Sequence, residues 1–437
     1  MSGMIFTFMF QTSGHPRSAW RVPGNRTREA TSLRYYLELA LAAENAGLDA
    51  IFMADQLDAE DDSWDDLDGP LEPFTLMSAV AARTHRVGIL CTASTTYSDP
   101  VLTARRFATL DHLSDGRAGW NVVTGASPGA SLNFGRDAHP DAATRYRRAH
   151  EFLNVTYACW DSWDADAVHV DRDADLLLRP GARRRVRFQG EFFDVDTEFP
   201  VPRSPQGRPL LSTAGQSTAG VELAAYHGDI VFAMQHELDR ARRERARLRD
   251  QRAQLGRDPD SVRFLPGVIP VIAEDRDEAE ELLALTRALG SHDLLIDELS
   301  GWMGIDLRAI SPDTRLHTGM IHHPTTLRGI RSQYEEVYER IERFEPTAND
   351  VIEHYLALGR YAFLAAVGRA GEVADLLQEW QQDGAADGFT LVPGPSPRGP
   401  RDFFAQVLPE LQRRGLHEPG EGRTLRERLG LIAPENA

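Results

Sequence analysis

The chain contains no lysine, so all 48 of its basic side chains are arginine. A Schiff base to a carbonyl substrate, a pyridoxal phosphate linkage and a Walker-type phosphate loop each require a lysine ammonium group. The composition alone therefore excludes three large classes of enzyme mechanism.

Cysteine is nearly as scarce, because Cys91 and Cys159 are the only two in the chain. Two distant cysteines form neither a disulfide framework nor a zinc site, which predicts a protein of the reducing cytoplasm. No apolar run approaches the ~18 residues of a membrane span, and residues 4–10 lack the basic segment that precedes a signal-peptide core. The net charge of −18 argues against nucleic acid and anionic membranes as partners. No GxGxxG motif follows a predicted strand, so no fixed dinucleotide-binding unit is indicated.

Short apolar runs alternate with helical patterns along the chain, which predicts parallel βαβ units. Eight such runs favour an α/β fold, a (β/α)8 TIM barrel in one domain spanning 1–437. The predicted strands are 4–10, 49–54, 87–93, 116–125, 210–214, 229–234, 262–273 and 387–392. We also predict insertions at about 161–207 and 285–330, and a tail, 418–437, that wraps the outside or a partner subunit.

Hydrogen-bonding side chains stand at the strand ends, where barrels bind their ligands. The most informative strand is 116–125, which carries Asn121 and Thr124 to its C-terminal end. The other strand ends supply Asp55, Thr92, Ser94, Gly215, Gln216 and Ser217. All except Asp55 are uncharged, which makes a poor metal site. Such a set suits a flat heterocycle with many donors and acceptors, such as an isoalloxazine.

The segment 213–220 (TAGQSTAG) lies between a predicted strand and a helix. Its small residues would let helix N-terminal amides approach a phosphate, with the hydroxyl of Ser217 assisting. The alternative is a plain turn in which Ser217 is the N-cap. Tyr146, near the start of another helix, would reach the same phosphate or only pack against its neighbours.

The loop histidines also allow two interpretations each. His15 and His139 follow the first and fourth strands, and each is either a proton donor beside a bound cofactor or a plain loop residue. His317, His322 and His323 cluster in the second insertion without a recognised zinc spacing, so we expect a polar lid there.

Several motifs resemble one protein family across nearly the whole chain. They are GHPRSAWR at 14–21, FMAD at 52–55, TASTTY at 92–97, RRFATLDHL at 105–113, GRAGWNVVTG at 116–125, VPRSPQGRP at 201–209, AGQSTAG at 214–220, AADGF at 385–389 and GRTLRERLG at 422–430. Together they are similar to the nitrilotriacetate monooxygenase and dibenzothiophene-sulfone monooxygenase family of bacterial-luciferase-like, FMN-dependent monooxygenases.

The resemblance implies a luciferase-like barrel that binds FMN at its strand ends. The positions that it assigns to the flavin are Asp55, Thr92, Ser94, Asn121, Tyr146, Gly215, Gln216 and Ser217. It implies catalytic roles for Asn121 and for His15 or His139, which would donate a proton or hydrogen bond where oxygen is activated, and it implies no metal. The chain departs from the family pattern at Ala142, Gly125 and Gln216, where a histidine and two serines are usual.

The resemblance further implies a two-component system. A separate NAD(P)H-dependent flavin reductase would supply reduced FMN, and O2 and a small organic substrate would react in a cavity walled by Trp120, Phe134 and the two insertions. A homodimer or homotetramer is usual in the family. The alternatives are an F420-dependent oxidoreductase on the same barrel, a non-catalytic flavin-binding protein and, least favoured, a metal-dependent hydrolase.

Overall fold

The computed structural model describes residues 3–12, 14–15, 17–58, 71–125, 127, 129–289, 292–326, 331–358, 363–394 and 399–431. Its strands are β1 (Ile5–Phe10), β2 (Ala50–Met53), β3 (Gly88–Ser94), β4 (Ala118–Val123), β5 (Val168–Asp171), β6 (Leu176–Leu178), β7 (Val186–Gln189), β8 (Asp194–Thr197), β9 (Leu210–Thr213), β10 (Ile230–Ala233), β11 (Arg263–Ile272), β12 (Leu364–Gly368) and β13 (Gly388–Leu391).

Eight of these strands close into a parallel barrel. The order is β1, β2, β3, β4, β9, β10, β11 and β13, and β13 pairs back onto β1. This confirms the predicted TIM barrel, and each predicted strand is present with its ends shifted by no more than two residues. The prediction missed β12, which pairs with residues 268–272 of β11, beyond the point where β10 ends. This extra strand is short and rich in alanine, so it lacks the β-branched run that marks the others.

Helices surround the barrel, and some of them begin at side-chain caps. They are α1 (Leu33–Ala46), α2 (Pro73–Ala81), α3 (Pro100–Leu113), α4 (Ala130–Asn133), α5 (Ala142–Trp160), α6 (Thr218–His227), α7 (Leu238–Gln254), α8 (Arg276–Ala288), α9 (His292–Met303), α10 (Arg331–Phe344), α11 (Ala348–Leu358), α12 (Ala370–Gln382), α13 (Gly399–Asp402), α14 (Leu408–Arg413) and α15 (Leu425–Arg428). Asp99 caps α3 and Asp141 caps α5, each accepting a backbone N–H of the first turn. Within the described ranges, none of the helices combines the length and apolarity needed to cross a bilayer.

Alternation along each strand divides the buried side chains between the barrel interior and the helix layer. On β4, Gly119 faces Leu90 inside the barrel, so Trp120 must face outward. Trp120 is fully buried there, stacks on Phe107 of α3 at 5.1 Å and donates from Nε1 to the Ala93 carbonyl. The expectation that Trp120 walls the ligand cavity is therefore wrong, because its neighbour Asn121 takes the inward position.

The C-terminal segment plugs the bottom of the barrel. Leu425, Leu429 and Leu431 belong to the apolar cluster of the barrel interior. Arg426 anchors the segment by a bidentate ion pair with Asp229, at 2.7 and 2.8 Å. The prediction that this tail wraps the outside or a partner subunit is wrong for residues 421–431, because their leucines fill the open lower end of the sheet.

The two predicted insertions form separate small units. Within 161–207, β5 pairs with β6 and β7 with β8 as antiparallel hairpins. Helix α9 from the second insertion packs with α10 and α11 around a core of its own. That core includes Leu299, Leu316, Tyr334 and Tyr355.

Shortening a leucine side chain of the C-terminal plug should destabilise the protein. We expect Leu425→Ala to lower the free energy of unfolding by about 2–5 kcal/mol, because it leaves a cavity in the barrel floor. Urea unfolding followed by tryptophan fluorescence measures the change. Leu113→Ala is the control, because Leu113 is 69% exposed and should change stability by less than about 0.5 kcal/mol. Equal midpoints for the Leu425 variant and the parent protein would contradict the plug.

Candidate active site

The carboxyl ends of the barrel strands carry a ring of inward-facing side chains, which we call the crown. Strand register places its members side by side across neighbouring strands. They are Met9, Phe52, Thr92, Ser94, Asn121, Ser212 and Phe232. Three of the predicted site residues, Thr92, Ser94 and Asn121, thus lie together. The sequence analysis missed Ser212, although β9 brings it directly opposite Asn121.

Asn121 has a fixed orientation within the crown. The Thr92 hydroxyl donates to the Met53 carbonyl at 2.7 Å, so it accepts from Asn121 Nδ2 at 3.0 Å. The amide oxygen Oδ1 then stays available as an acceptor. Oδ1 is buried and has no hydrogen-bond partner among the residues that the structure describes. A buried acceptor without a partner is costly, so this oxygen marks a place where a ligand N–H fits.

A second set of predicted residues meets at the start of α6. Ser217 caps this helix by accepting the Gly220 N–H at 3.2 Å, and its Oγ lies 3.3 Å from the Tyr146 hydroxyl. A Cβ on Gly215 would lie 2.9 Å from the Gly220 Cα and 3.1 Å from the Tyr146 hydroxyl. The small residues of 213–220 therefore permit a close backbone approach beside two hydroxyls, which suits a phosphate.

The side chain of Gln216 forms hydrogen bonds with residues that follow β10. Its Nε2 donates to the Met234 carbonyl, and its Oε1 accepts from Gln235 Nε2, both at 3.2 Å. The side chain thus ties the loop to the end of β10. The predicted cofactor contact of Gln216 stays a prediction.

Asp55 is the one acidic group predicted at the strand ends. It follows β2 and is half-buried at the rim. Burial, assisted by repulsion from Glu72, raises the pKa of Asp55 to about 6. A carboxyl group with this pKa can accept or donate a hydrogen bond near neutral pH.

The two predicted catalytic histidines lie in different surroundings, after β1 and after β4. His15 is buried, its backbone N–H donates to the Pro393 carbonyl, and its ring lies edge-on to Phe363 at 5.3 Å. His139 accepts a hydrogen bond from Arg145 at Nε2, and its Nδ1 is 2.6 Å from the Tyr97 hydroxyl. Burial and the charge of Arg145 lower the pKa of His139, so this ring is neutral at pH 7.

Glu336 connects the helical unit formed by α9, α10 and α11 to residues that follow β10. From α10 it contacts Arg240 of α7 at 2.9 Å, His236 after β10 at 3.3 Å and His354 of α11 at 3.7 Å. Burial raises the pKa of Glu336, but the hydrogen bonds from the two histidines outweigh this and lower it to about 2. An ionised carboxylate therefore holds this helical unit against the start of α7.

The insertion histidines are spread out rather than gathered. The His322 carbonyl accepts from the Tyr334 hydroxyl at 2.6 Å, and the His323 ring lies 5.2 Å from the Tyr338 ring. In the described part of the chain, no three histidine, cysteine or acidic side chains come close enough to hold a metal.

A family model, several known proteins and a solved structure all resemble this chain. A family model described as luciferase-like monooxygenase matches residues 4–387. The chain is 36% identical to N-acetyl-S-(2-succino)cysteine monooxygenase of Bacillus subtilis (strain 168), over 97% of this chain and 96% of that protein. It is also 36% identical to nitrilotriacetate monooxygenase component A of Aminobacter aminovorans, over 99% and 98%. The crystal structure of riboflavin lyase (RcaE) with modified FMN and riboflavin has a TM-score of 0.85 at 29% identity, over 99% and 97%.

Ionisation of Asp55 should lower the free energy of unfolding as the pH rises. Its raised pKa means that the folded state binds more protons than the unfolded state between about pH 4 and 6, so this group weakens the fold as pH rises through that window. Asp55→Asn removes this ionisable group. The free energy of unfolding of the variant, minus that of the parent protein, should therefore increase from pH 4 to pH 6 and then level off. Urea unfolding at pH 4, 5, 6 and 7 measures it. Asp173→Asn, on an exposed turn, is the control. A pH-independent difference for the Asp55 variant would contradict the assignment.

Proposed function

The chain belongs to the luciferase-like monooxygenase family, and from this premise we propose that it oxygenates a small organic substrate with O2 and reduced FMN. A separate flavin reductase would deliver the reduced FMN, since the sequence offers no motif for a nicotinamide site. The observation that carries the proposal is the unpartnered Oδ1 of Asn121 inside a crown of neutral polar groups.

The crown fits a flat ring system with its own donors and acceptors. Asn121 Oδ1 would accept a ring N–H, and the hydroxyls of Ser94 and Ser212 lie on the neighbouring strands. Asp55, with its pKa near neutrality, would hydrogen-bond to the ring from the rim. When bound, reduced FMN would supply the two electrons that activate O2.

The start of α6 would hold the phosphate. The hydroxyls of Ser217 and Tyr146 and the amides of residues 215–218 supply donors, and the helix N-terminus favours an anion. Gly125 and Gln216 do not supply the hydroxyls usual in the family, so this cradle relies more on backbone amides.

Three phenylalanines, rather than Trp120, would keep water out of the site. Phe52 and Phe232 have ring centroids 5.9 Å apart, and Phe232 stacks on Phe363 at 5.8 Å. This apolar wall would keep bulk water from the reacting atoms, and the insertion tied by Glu336 would cover the mouth. Both ring nitrogens of His139 are engaged, so we assign proton donation to His15, which packs against the same wall.

Oxygen incorporation tests the proposed function as a whole. The purified protein would be mixed with a flavin reductase, NADH, FMN and 18O2, with N-acetyl-S-(2-succino)cysteine and nitrilotriacetate as first candidate substrates. We expect substrate-dependent product that carries one 18O atom, detected by mass spectrometry. Binding of a deazaflavin with oxygen-independent hydride transfer would instead support the F420-dependent alternative. The resemblance also supports a homodimer or homotetramer, which light scattering tests.

Removal of the Asn121 amide should weaken flavin binding. We expect Asn121→Ala to raise the Kd for FMN about tenfold to a hundredfold, the range for loss of one buried hydrogen bond. Fluorescence quenching of FMN measures the affinity, and a thermal melt checks the fold. Asn154→Ala is the matched control, because Asn154 lies exposed on α5. Unchanged affinity in the Asn121 variant would place the flavin elsewhere.

A further inference from the structure

We propose that Phe363 sets the upper size of the substrate, because its ring fills the part of the barrel mouth that Gly267 leaves open. The substrate would present a short, uncharged group to this ring. The inference rests on the proposed function, since it assumes that the flavin occupies the polar side of the crown.

Two phenylalanines divide the mouth of the barrel into two halves. Phe52 lies on β2 and Phe232 on β10, and three strands separate β2 from β10 in each direction around the barrel. Their ring centroids are nevertheless only 5.9 Å apart, so the two side chains meet across the barrel. The polar members of the crown all stand on one side of this pair, on β3, β4 and β9. They are Thr92, Ser94, Asn121 and Ser212.

The other half of the mouth lies over β11, β13 and β1, and Gly267 of β11 faces into it. A Cβ on Gly267 would lie 2.7 Å from Phe363 Cε1 and 3.1 Å from Phe232 Cε2. Both distances are too short for a carbon atom to be added without movement of a ring. The Phe363 ring therefore takes the volume that a side chain at position 267 would need.

Phe363 enters this half from outside the eight barrel strands. It directly precedes β12, the extra strand that pairs with residues 268–272 of β11. Its ring is buried in the apolar cluster of the barrel interior, stacks on Phe232 at 5.8 Å and lies edge-on to His15 at 5.3 Å. Because no barrel strand carries Phe363, its side chain can change in size without altering the pairing of those strands.

The neighbours of Phe363 in the described part of this half are uncharged. They include Met9, Phe52, Phe232 and Ile269 of the same apolar cluster. An ionised group placed against them would lose its hydration without gaining a partner. The part of the substrate that faces Phe363 is therefore uncharged. It lies beside His15, to which we assign proton donation, so the Phe363 ring limits how far a substrate extends past the reacting atoms.

Binding of a homologous series tests this size limit. Dimethyl sulfide, butyl methyl sulfide and hexyl methyl sulfide are titrated into the parent protein, Phe363→Ala and Phe363→Leu. With FMN bound, the Kd is taken from the change in flavin absorption, which reports sulfide bound at the crown. Calorimetry gives the Kd for the flavin-free proteins.

The Phe363 variants should accept the longer sulfides. Each additional CH2 group that a cavity buries raises the affinity about fourfold. We therefore expect Phe363→Ala to bind hexyl methyl sulfide at least tenfold more tightly than the parent protein, and dimethyl sulfide within twofold of the parent protein. Phe363→Leu should lie between the two.

Phe404→Ala is the matched control, because it removes the same side chain from the helix layer. Phe404 is 6% exposed and packs edge-on against Phe8 at 5.5 Å, outside the barrel interior. This variant should melt at a lower temperature, as Phe363→Ala should, but its flavin absorption should report the same relative affinities for the three sulfides as in the parent protein.

Gly267→Ala tests the contact without any ligand. The new Cβ meets the Phe363 ring, so this variant should melt at a lower temperature than the parent protein. The same change should cost much less in Phe363→Ala, because the ring is gone and the two substitutions are coupled. The double variant should also bind hexyl methyl sulfide less tightly than Phe363→Ala, since the added methyl group refills part of the space.

The proposal is overturned if the parent protein and Phe363→Ala bind the three sulfides with the same relative affinities, or if Phe404→Ala changes them equally. Equal effects of Gly267→Ala in both backgrounds would also overturn it. If Phe363→Ala does not fold, Phe363→Leu decides by the same comparison. Failure of the parent protein to bind FMN would instead contradict the proposed function, because titration of the flavin-free proteins still tests Phe363.

Discussion

Closure of the parallel sheet is the constraint on which the rest of this structure depends. Each of the eight barrel strands forms backbone hydrogen bonds with two neighbours, so all carboxyl ends meet at one rim. Closure also divides every strand into inward and outward side chains. The crown, the helix-facing core around Trp120 and the floor sealed by Leu425 all follow from this one geometric condition.

Asn121 of the crown differs from Arg117, a buried polar side chain in the helix layer, in how its polar atoms are satisfied. Arg117 makes five hydrogen bonds within the chain. Asn121 has one of its two polar atoms fixed by Thr92 and the other left open. A protein that leaves buried hydrogen-bonding capacity unused gives up stability, and ligand binding at that place restores it.

A buried carboxylate links the barrel to the helical unit formed by α9, α10 and α11. Glu336 of α10 contacts His236 and Arg240, which follow β10, and His354 of α11. The pairing spans two separate apolar cores, so it fixes their relative position where apolar packing alone would leave more freedom.

Local patterns in the sequence were enough to predict the eight barrel strands and the neutral polar strand ends, because hydrophobic period is a local property. The sequence also placed Thr92, Ser94 and Asn121 at one rim, because parallel strands share their carboxyl edge. The tertiary structure was needed to show which face of β4 turns inward, and this excluded Trp120 from the site and brought in Ser212. It also placed the C-terminal leucines in the barrel floor. Neither fact is recorded in a local pattern, because both depend on contacts between distant segments.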